Sequence, residues 1–216
     1  VIKRYKRLYT GAFYKRFILG QWCNTTGAVY PMFSYERNTF NNPPERFNRY
    51  AVSCDYGTVN PASFGLWGEN GGVWYRIDEY YYNSKEKGVQ RTDEEHYKAL
   101  EKLCGDRKIE MIICDPSAAS FIQCVKRHGK FNITQGKNDV ISGIRLVGDM
   151  LKMGKIRISR DCQDTLREFS LYRWDEKAGK DCPVKENDHA MDDIRYFALY
   201  FLSQKPSGFF VSALER

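Results

Sequence analysis

Several features that would assign the chain to a common protein class are absent from its 216 residues. No apolar run approaches the roughly 18 residues of a membrane span, and the longest candidate, Ile194–Leu202, is interrupted by Arg195. No C-x-x-C pair occurs, so a structural zinc site is not expected. The phosphate-binding pattern G-x-x-x-x-G-K-[ST] is also missing, because Gly136-Lys137, Gly154-Lys155 and Gly179-Lys180 all lack the following Ser or Thr. These absences argue against a membrane protein, a zinc-ribbon scaffold and a nucleotide hydrolase.

The cysteines argue against a disulfide framework, since there are seven of them at irregular spacing. We therefore expect reduced, mostly buried thiols, as is typical of a cytoplasmic protein. Hydrophobic residues make up 42% of the chain and aromatic residues 15%. These fractions indicate a packed globular fold with one sizeable core, or one domain plus an extra segment.

The positive charge is concentrated at one end of the chain. Residues 1–49 contain nine Lys or Arg and two Glu, and so carry the whole net charge of +7. A basic arm of this kind attracts nucleic-acid phosphates. A solvated linker, or a surface that docks on an acidic partner, explains the same charge equally well.

The apolar patterns predict an α/β fold with a mixed central sheet flanked by helices. Strand-like stretches at residues 50–56, 62–67 and 72–82 are separated by short turns and predict an antiparallel meander. Ile109–Cys114 is a continuous apolar run, as expected of a strand buried on both faces. Helical patterns cover residues 1–22 and 92–103, then follow Asp115-Pro116-Ser117 to about residue 127, and recur at 139–153, 162–171 and 188–202. Asparagine, proline and charge at residues 35–48 suggest a domain boundary near residue 48.

Two acids follow apolar strands. Asp55 ends the first strand of the meander, and Asp115 follows Ile109–Cys114. An acid at a strand end is usually a turn or cap residue. Two such acids at the ends of adjacent strands would nevertheless converge at one edge of the sheet, where α/β folds bind ligands.

A third acidic group begins the last helix. His189 shares a helical face with Asp192 at i+3 and with Asp193 at i+4, while Asp188 is in position to be the N-cap. Carboxylate oxygens are the ligands that Mg²⁺ and Mn²⁺ prefer, and Mn²⁺ also accepts imidazole. The helical phase places Asp193 beside the buried face and Asp192 further from it, so the phase does not select Asp192 as a ligand.

The motifs CDYG (54–57), ICDPS (113–117) and NDHAMDDIRY (187–196) resemble those of the C-terminal nuclease domain of the tailed-bacteriophage terminase large subunit. Residues 14–33 are similar to the segment that links the ATPase domain of that family to its nuclease domain. The resemblance implies a ribonuclease H-like domain at residues 49–216, with residues 1–48 as the lead-in from an upstream ATPase domain. It also implies an endonuclease that cuts double-stranded DNA with little sequence specificity during viral genome packaging.

By the same resemblance, two Mg²⁺ or Mn²⁺ ions would be bound for phosphodiester hydrolysis. Asp55 would bridge them, and Asp115 and Asp192 would complete one site each. His189 would ligate a metal or act as a general base or acid. Asp193 stands where the family more often has a small or apolar residue, which makes it the competitor of Asp192.

The resemblance further implies partners: the portal protein, the small terminase subunit and DNA, in the host-cell cytoplasm at the procapsid portal, without a membrane. Candidate phosphate contacts are basic residues near the predicted helices, although a solvated side chain is the commoner explanation for each. They are Lys85, Lys87, Arg91, Lys126 and Arg127. We interpret a hairpin at Trp174–Lys185 as a border of the DNA groove that gates access.

Two alternatives stay open at this stage. One is another ribonuclease H-like enzyme, such as a transposase, an integrase or a junction resolvase. The other is a non-catalytic DNA-binding or docking module of the motor, whose acids only cap helices.

Overall fold

The fold centres on a single seven-stranded sheet. The computed structural model describes residues 27–175, 178 and 182–203, so the predicted helix at 1–22 and most of the basic arm lie outside the described residues. The strands are β1 (Thr39–Phe40), β2 (Arg49–Asp55), β3 (Ala62–Asn70), β4 (Val73–Tyr82), β5 (Ile109–Cys114), β6 (Ile133–Gln135) and β7 (Ile156–Ser159). The helices are α1 (Tyr35–Asn38), α2 (Ser84–Lys87), α3 (Asp93–Cys104), α4 (Ala119–His128), α5 (Val140–Lys152), α6 (Gln163–Leu171) and α7 (His189–Phe201).

The strand order is β1-β7-β4-β3-β2-β5-β6. Strands β2, β3 and β4 form the predicted antiparallel meander, and β3 turns into β4 through Gly71 and Gly72, both at positive φ. This left-handed backbone is open to glycine at little cost and suits a two-residue hairpin turn. Strand β5 lies parallel to β2, with Cys54 opposite Cys114. The register places the carboxyl ends of β2 and β5 side by side.

Helices cover both faces of the sheet, as predicted. Apolar residues of α5, α6 and α7 pack on one face, and those of α3 and α4 pack on the other. Along β2 the side chains alternate, so that Ala51 belongs to the first core and Val52 to the second. Helix α3 begins with the predicted capping box of Thr92 and Glu95. Within the described part of the chain, no helix is long and apolar enough to cross a membrane.

The segment before β2 belongs to the same core. Val29, Tyr30 and Phe33 are buried with α5 and α6, and the Phe33 ring stacks on Phe169 with centroids 4.3 Å apart. Strand β1 adds to the sheet edge by pairing with β7. The boundary near residue 48 stays a prediction, but residues 28–40 contribute core to the domain that follows it.

The cysteines of the described residues are free thiols, five of them buried. This agrees with the absence of a disulfide pattern, and Cys23 lies outside the described residues. The predicted hairpin after α6 is formed at its base, where Trp174 bridges Pro183. Residues 176, 177 and 179–181 of this segment lie outside the described residues.

A buried ion pair connects the sheet to α7. The Arg76 guanidinium on β4 donates to both carboxylate oxygens of Asp193, with Nη2 2.9 Å from Oδ2, and both side chains are fully buried. The hydroxyls of Ser53 and Ser63 also donate to Asp193, at 2.8 and 2.5 Å. A Cβ atom at Gly65 would overlap Arg76 Nη1, so a side-chain-free position on β3 makes room for the guanidinium.

We expect Asp193→Asn to lower the free energy of unfolding by about 3–5 kcal/mol, because it removes the hydrogen-bonded counter-charge of a buried guanidinium and leaves only Glu79 at 3.9 Å. Urea denaturation measures the change. The matched control is Glu110→Ala, which breaks a pair with Arg49 whose side chains are both 45% exposed. Its expected cost is at most about 1 kcal/mol. Equal costs for the two substitutions would contradict a central role for the buried pair.

Candidate active site

The three acids selected from the sequence line one cleft of about 630 Å³. Asp55 is the last residue of β2 and Asp115 directly follows β5, so the parallel register of these strands brings both acids to one sheet edge. The N-terminal turn of α7 contributes Asp188, His189 and Asp192 from the other side. Further lining residues include Tyr56, Asn60, Tyr81, Asn83, Lys85, Asn138, Arg167, Lys185 and Tyr196.

Asp55 is the most enclosed of the three acids, at 8% exposed. Burial raises the pKa of its carboxyl to about 7, and the negative charges of Asp192 and Asp115 act in the same direction against the hydrogen bond from His189. That bond joins His189 Nδ1 to Asp55 Oδ2 at 2.9 Å. Burial disfavours the imidazolium, but the contact with Asp55 outweighs it and raises the pKa of His189. His189 and Asp55 therefore fix each other's side-chain positions in the cleft.

Asp115 has a local structural role as well as its place in the cleft. Its Oδ1 accepts from the Ser117 amide at 2.9 Å, and its Oδ2 accepts from the Ser117 hydroxyl at 2.6 Å. This turn is the one expected of an acid between a strand and a helix. Each carboxylate oxygen has two lone-pair sites, so the turn leaves Asp115 acceptor capacity toward the cleft.

Asp192 and Asp193 have different surroundings although they are adjacent. Asp192 lines the cleft, where its Oδ1 pairs with Arg195 Nη2 at 2.5 Å and its Oδ2 lies 3.9 Å from Lys185 Nζ. Asp193 points into the core and uses both oxygens on Arg76 and the two serines. The helical phase thus indicated correctly that Asp193 faces inward.

Asp188 is a cleft residue that the sequence reasoning treated only as a cap. It occupies the N-cap position, but its side chain makes no capping hydrogen bond. Instead Oδ2 lies 3.9 Å from Lys185 Nζ, and Oδ1 lies 4.0 Å from His189 Nε2. Burial, followed by the charge of Asp192, raises the pKa of Asp188. Its place directly before His189, within the motif NDHAMDDIRY, was the available signal.

Glu168 of α6 was not among the site residues predicted from the sequence. It is fully buried and accepts hydrogen bonds from the Tyr81 hydroxyl and the Ala190 amide, both at 2.6 Å. Burial raises the pKa of its carboxyl to about 7. The bond to Ala190 satisfies an otherwise unpaired amide in the first turn of α7 and fixes the turn that carries His189. An acid on the same helical face as Thr165 and Tyr172 was the signal in the sequence.

The predicted DNA contacts are dispersed. Lys85 lines the cleft and donates to Asn60 Oδ1 at 3.0 Å. Arg91 instead stacks over the Tyr82 ring, 4.1 Å from its centroid, on a separate surface groove. Lys87 is exposed and is not part of the described cleft lining. Lys126 and Arg127 are exposed at the C-terminal end of α4, whereas Asp115 precedes the N-terminal end of that helix. The structure therefore brings only Lys85 of the five to the acids.

Comparison with solved structures identifies the fold. The chain superposes on the P22 large terminase nuclease domain with a TM-score of 0.64 at 18% identity, covering 81% of this chain and 92% of that one. The large terminase nuclease of thermophilic phage G20c, with bound magnesium, gives a TM-score of 0.59 at 12% identity, covering 80% and 96%. The sheet and its helices therefore form the ribonuclease H-like fold of terminase nuclease domains, as the sequence predicted.

Sequence similarity relates the chain to phage large terminases. The large terminase of a thermophilic bacteriophage other than G20c, solved in complex with ADP, is 44% identical to this chain. The superposition has a TM-score of 0.80 and covers 94% of this chain and 52% of that one. The large terminase subunit of Escherichia phage T5 is 24% identical over 136 residues, which are 60% of this chain and 31% of the relative. No protein-family model matches. The chain is a homologue of phage terminase large subunits and spans about half the length of the ADP-bound relative.

We expect the metal-free protein to lose stability as pH rises from about 4 to about 7. A carboxyl whose pKa is higher in the folded than in the unfolded state destabilises the fold once it must ionise, and Asp55 and Glu168 both act in this direction. The raised pKa of His189 adds stability that is also lost as pH rises.

Asp55→Asn isolates the share of Asp55. In EDTA at pH 8 the variant should be more stable than the wild type by on the order of 2 kcal/mol, with the difference vanishing near pH 4. Urea denaturation at several pH values measures this, with Glu168 unchanged in both proteins. A difference that is the same at pH 4 and pH 8 would contradict the assignment.

Proposed function

We propose that this chain is a metal-dependent endonuclease that cuts double-stranded DNA during viral genome packaging. The observation that carries the proposal is the convergence of Asp55, Asp115 and Asp192 on one open cleft beside His189. A docking module would use its acids only for capping, and Asp115 does form a turn. Asp55 and Asp188, however, make no cap and are held in the cleft with raised pKa values.

The cleft suits hard divalent cations. Its donors are carboxylate oxygens, the ligands that Mg²⁺ and Mn²⁺ prefer. The raised pKa of Asp55 reflects burial together with the negative charges of Asp192 and Asp115, which His189 only partly offsets. The G20c nuclease has been solved with bound magnesium and with bound cobalt. We propose two ions, held by Asp55 as the shared ligand and by Asp115 and Asp192.

The bound ions would activate the attacking water and stabilise the departing 3′-oxygen. The other steps belong to the protein. His189 orients the Asp55 carboxylate through Oδ2, and Glu168 fixes the turn that carries His189. Arg195 fixes Asp192 by contacts to Oδ1, so that Oδ2 is directed toward Lys185 at the cleft. Asp193 has no comparable position, which supports Asp192 as the ligand.

DNA binding would be to the backbone, through lysines at the cleft margin. Lys85 from the start of α2 and Lys185 before α7 both line the cleft with the acids. An upstream ATPase domain, the portal protein and the small terminase subunit would be partners in the host-cell cytoplasm at the procapsid portal. The similarity to a large terminase solved with ADP, of which this chain spans about half, supports the upstream domain.

Plasmid cleavage with Mg²⁺, Mn²⁺ or EDTA tests the proposal. We expect cleavage by the wild type with either ion and none in EDTA. Asp55→Asn, Asp115→Asn and Asp192→Asn should each abolish cleavage, because each removes a proposed metal ligand. Metal-dependent cleavage that survives Asp55→Asn would overturn the catalytic assignment.

The neighbouring acids provide an internal control. Asp192→Asn should lose cleavage while still folded, with a smaller loss of melting temperature than Asp193→Asn, because Asp192 is partly exposed and Asp193 is not. Asp193→Asn should retain cleavage where it is still folded. Circular dichroism at the assay temperature establishes folding. The reverse pattern would make Asp193 the ligand.

Lys85→Ala and Lys126→Ala form a matched pair for DNA binding. Each removes one exposed lysine charge, but only Lys85 lines the cleft. We expect Lys85→Ala to weaken binding of catalytically inactive protein and to reduce the slope of log affinity against log salt by about 1, with Lys126→Ala unchanged. Fluorescence anisotropy across salt concentrations measures both. Equal effects of the two substitutions would exclude the cleft as the principal phosphate-binding surface.

A further inference from the structure

Three metal-ligating side chains meet on the helical layer that does not carry α7. Glu94 lies in the first turn of α3, and Cys124 and His128 are four residues apart on α4. One donor atom from each residue lies within 4.8 Å of the other two. The Cys124 thiol donates to Glu94 Oε1 at 3.4 Å, and His128 Nε2 lies 2.8 Å from Glu94 Oε2.

These separations suit one small tetrahedral ion. With metal–sulfur bonds near 2.3 Å and metal–nitrogen or metal–oxygen bonds near 2.0–2.2 Å, donors around a tetrahedral ion lie about 3.3–3.6 Å apart. The sulfur–oxygen distance already has this value. The nitrogen–oxygen distance of 2.8 Å is that of a hydrogen bond. It needs to lengthen by only about 0.5 Å to reach the separation of two ligands around one ion.

The scaffold holds the donors in place. A spacing of four residues puts Cys124 and His128 on one face of α4. The His128 ring stacks on Tyr97 of α3, with centroids 3.8 Å apart and planes 5° apart, which orients Nε2 toward Glu94. Cys124 is buried, whereas Glu94 and His128 are partly exposed at 57% and 39%. An ion can therefore enter from solvent by replacing the contact between the glutamate and the histidine.

We propose that Glu94, Cys124 and His128 bind a zinc-class divalent ion, with water as the fourth ligand, that ties α3 to α4. Thiolate and imidazole select borderline-soft ions over Mg²⁺, in contrast to the oxygen donors of the cleft. Burial and the hydrogen bond to Glu94 raise the pKa of the Cys124 thiol to about 11, so it is protonated without metal. Binding forms a metal–sulfur bond and releases that proton to solvent.

Cobalt(II) titration of the full chain, followed by absorption spectroscopy, tests the site. A thiolate–cobalt charge-transfer band is expected at one equivalent, together with the intense visible bands of tetrahedral cobalt. The described lining of the cleft contains no cysteine, so cobalt bound there gives no such band. Zinc should abolish the band by competition and raise the melting temperature.

Cys124→Ser should remove the charge-transfer band. Glu94→Gln and His128→Gln, which change exposed side chains and so keep the fold, should weaken cobalt binding. Cys182→Ser is the matched control, because Cys182 is a partly exposed thiol in a different part of the structure. It should leave the band intact, as should Asp55→Asn. Absence of the band in the wild type, its persistence in Cys124→Ser, or its loss in Cys182→Ser would overturn the proposal.

Discussion

The arrangement of the cleft depends on the buried contact between Arg76 and Asp193. A buried charged pair is costly unless its hydrogen-bonding groups are satisfied. Here two serine hydroxyls donate further hydrogen bonds to the Asp193 carboxylate. Because successive residues are about 100° apart on a helix, directing Asp193 into the sheet fixes the rotation of α7. That rotation puts Asp192 at the cleft wall and His189 one turn earlier, against Asp55.

The described lining of the cleft holds more acidic than basic side chains. Four aspartates of the described residues line it, and the basic groups closest to them are engaged in particular pairs: His189 with Asp55, and Arg195 with Asp192. The acids also differ in their surroundings. Asp55 is buried and has a raised carboxyl pKa, whereas Asp115 accepts hydrogen bonds within its own turn. Such an arrangement costs folding free energy without cations, which is the trade-off expected of the proposed metal site.

The parts of the site that follow strands could be predicted from the sequence. Apolar runs that end in Asp55 and Asp115 specify both the strands and the edge at which they end. The phase of α7 placed Asp193 nearer the core than Asp192, but the choice of Asp192 as a ligand came from the family resemblance. Arg76 could not be found in this way, because its partner lies 117 residues further along the chain. Glu168 was missed because its role depends on contacts with β4 and α7, and Asp188 was missed because an acid before a helix is usually only a cap. The position of Arg91 was also unpredictable, since it lies outside any helix or strand whose periodicity would show which surface it faces.

Gly65 has a consequence for the evolution of the family. The guanidinium of Arg76 occupies the volume that a side chain at position 65 would need, and both of its terminal nitrogens are paired with the acid at position 193. The three positions therefore cannot vary independently. In homologues with a small or apolar residue at the place of Asp193, we expect an uncharged residue in place of Arg76 and a larger one in place of Gly65. Substitution at all three positions together would leave the neighbouring Asp192 unchanged. Two lineages would then retain the same cleft above differently packed cores.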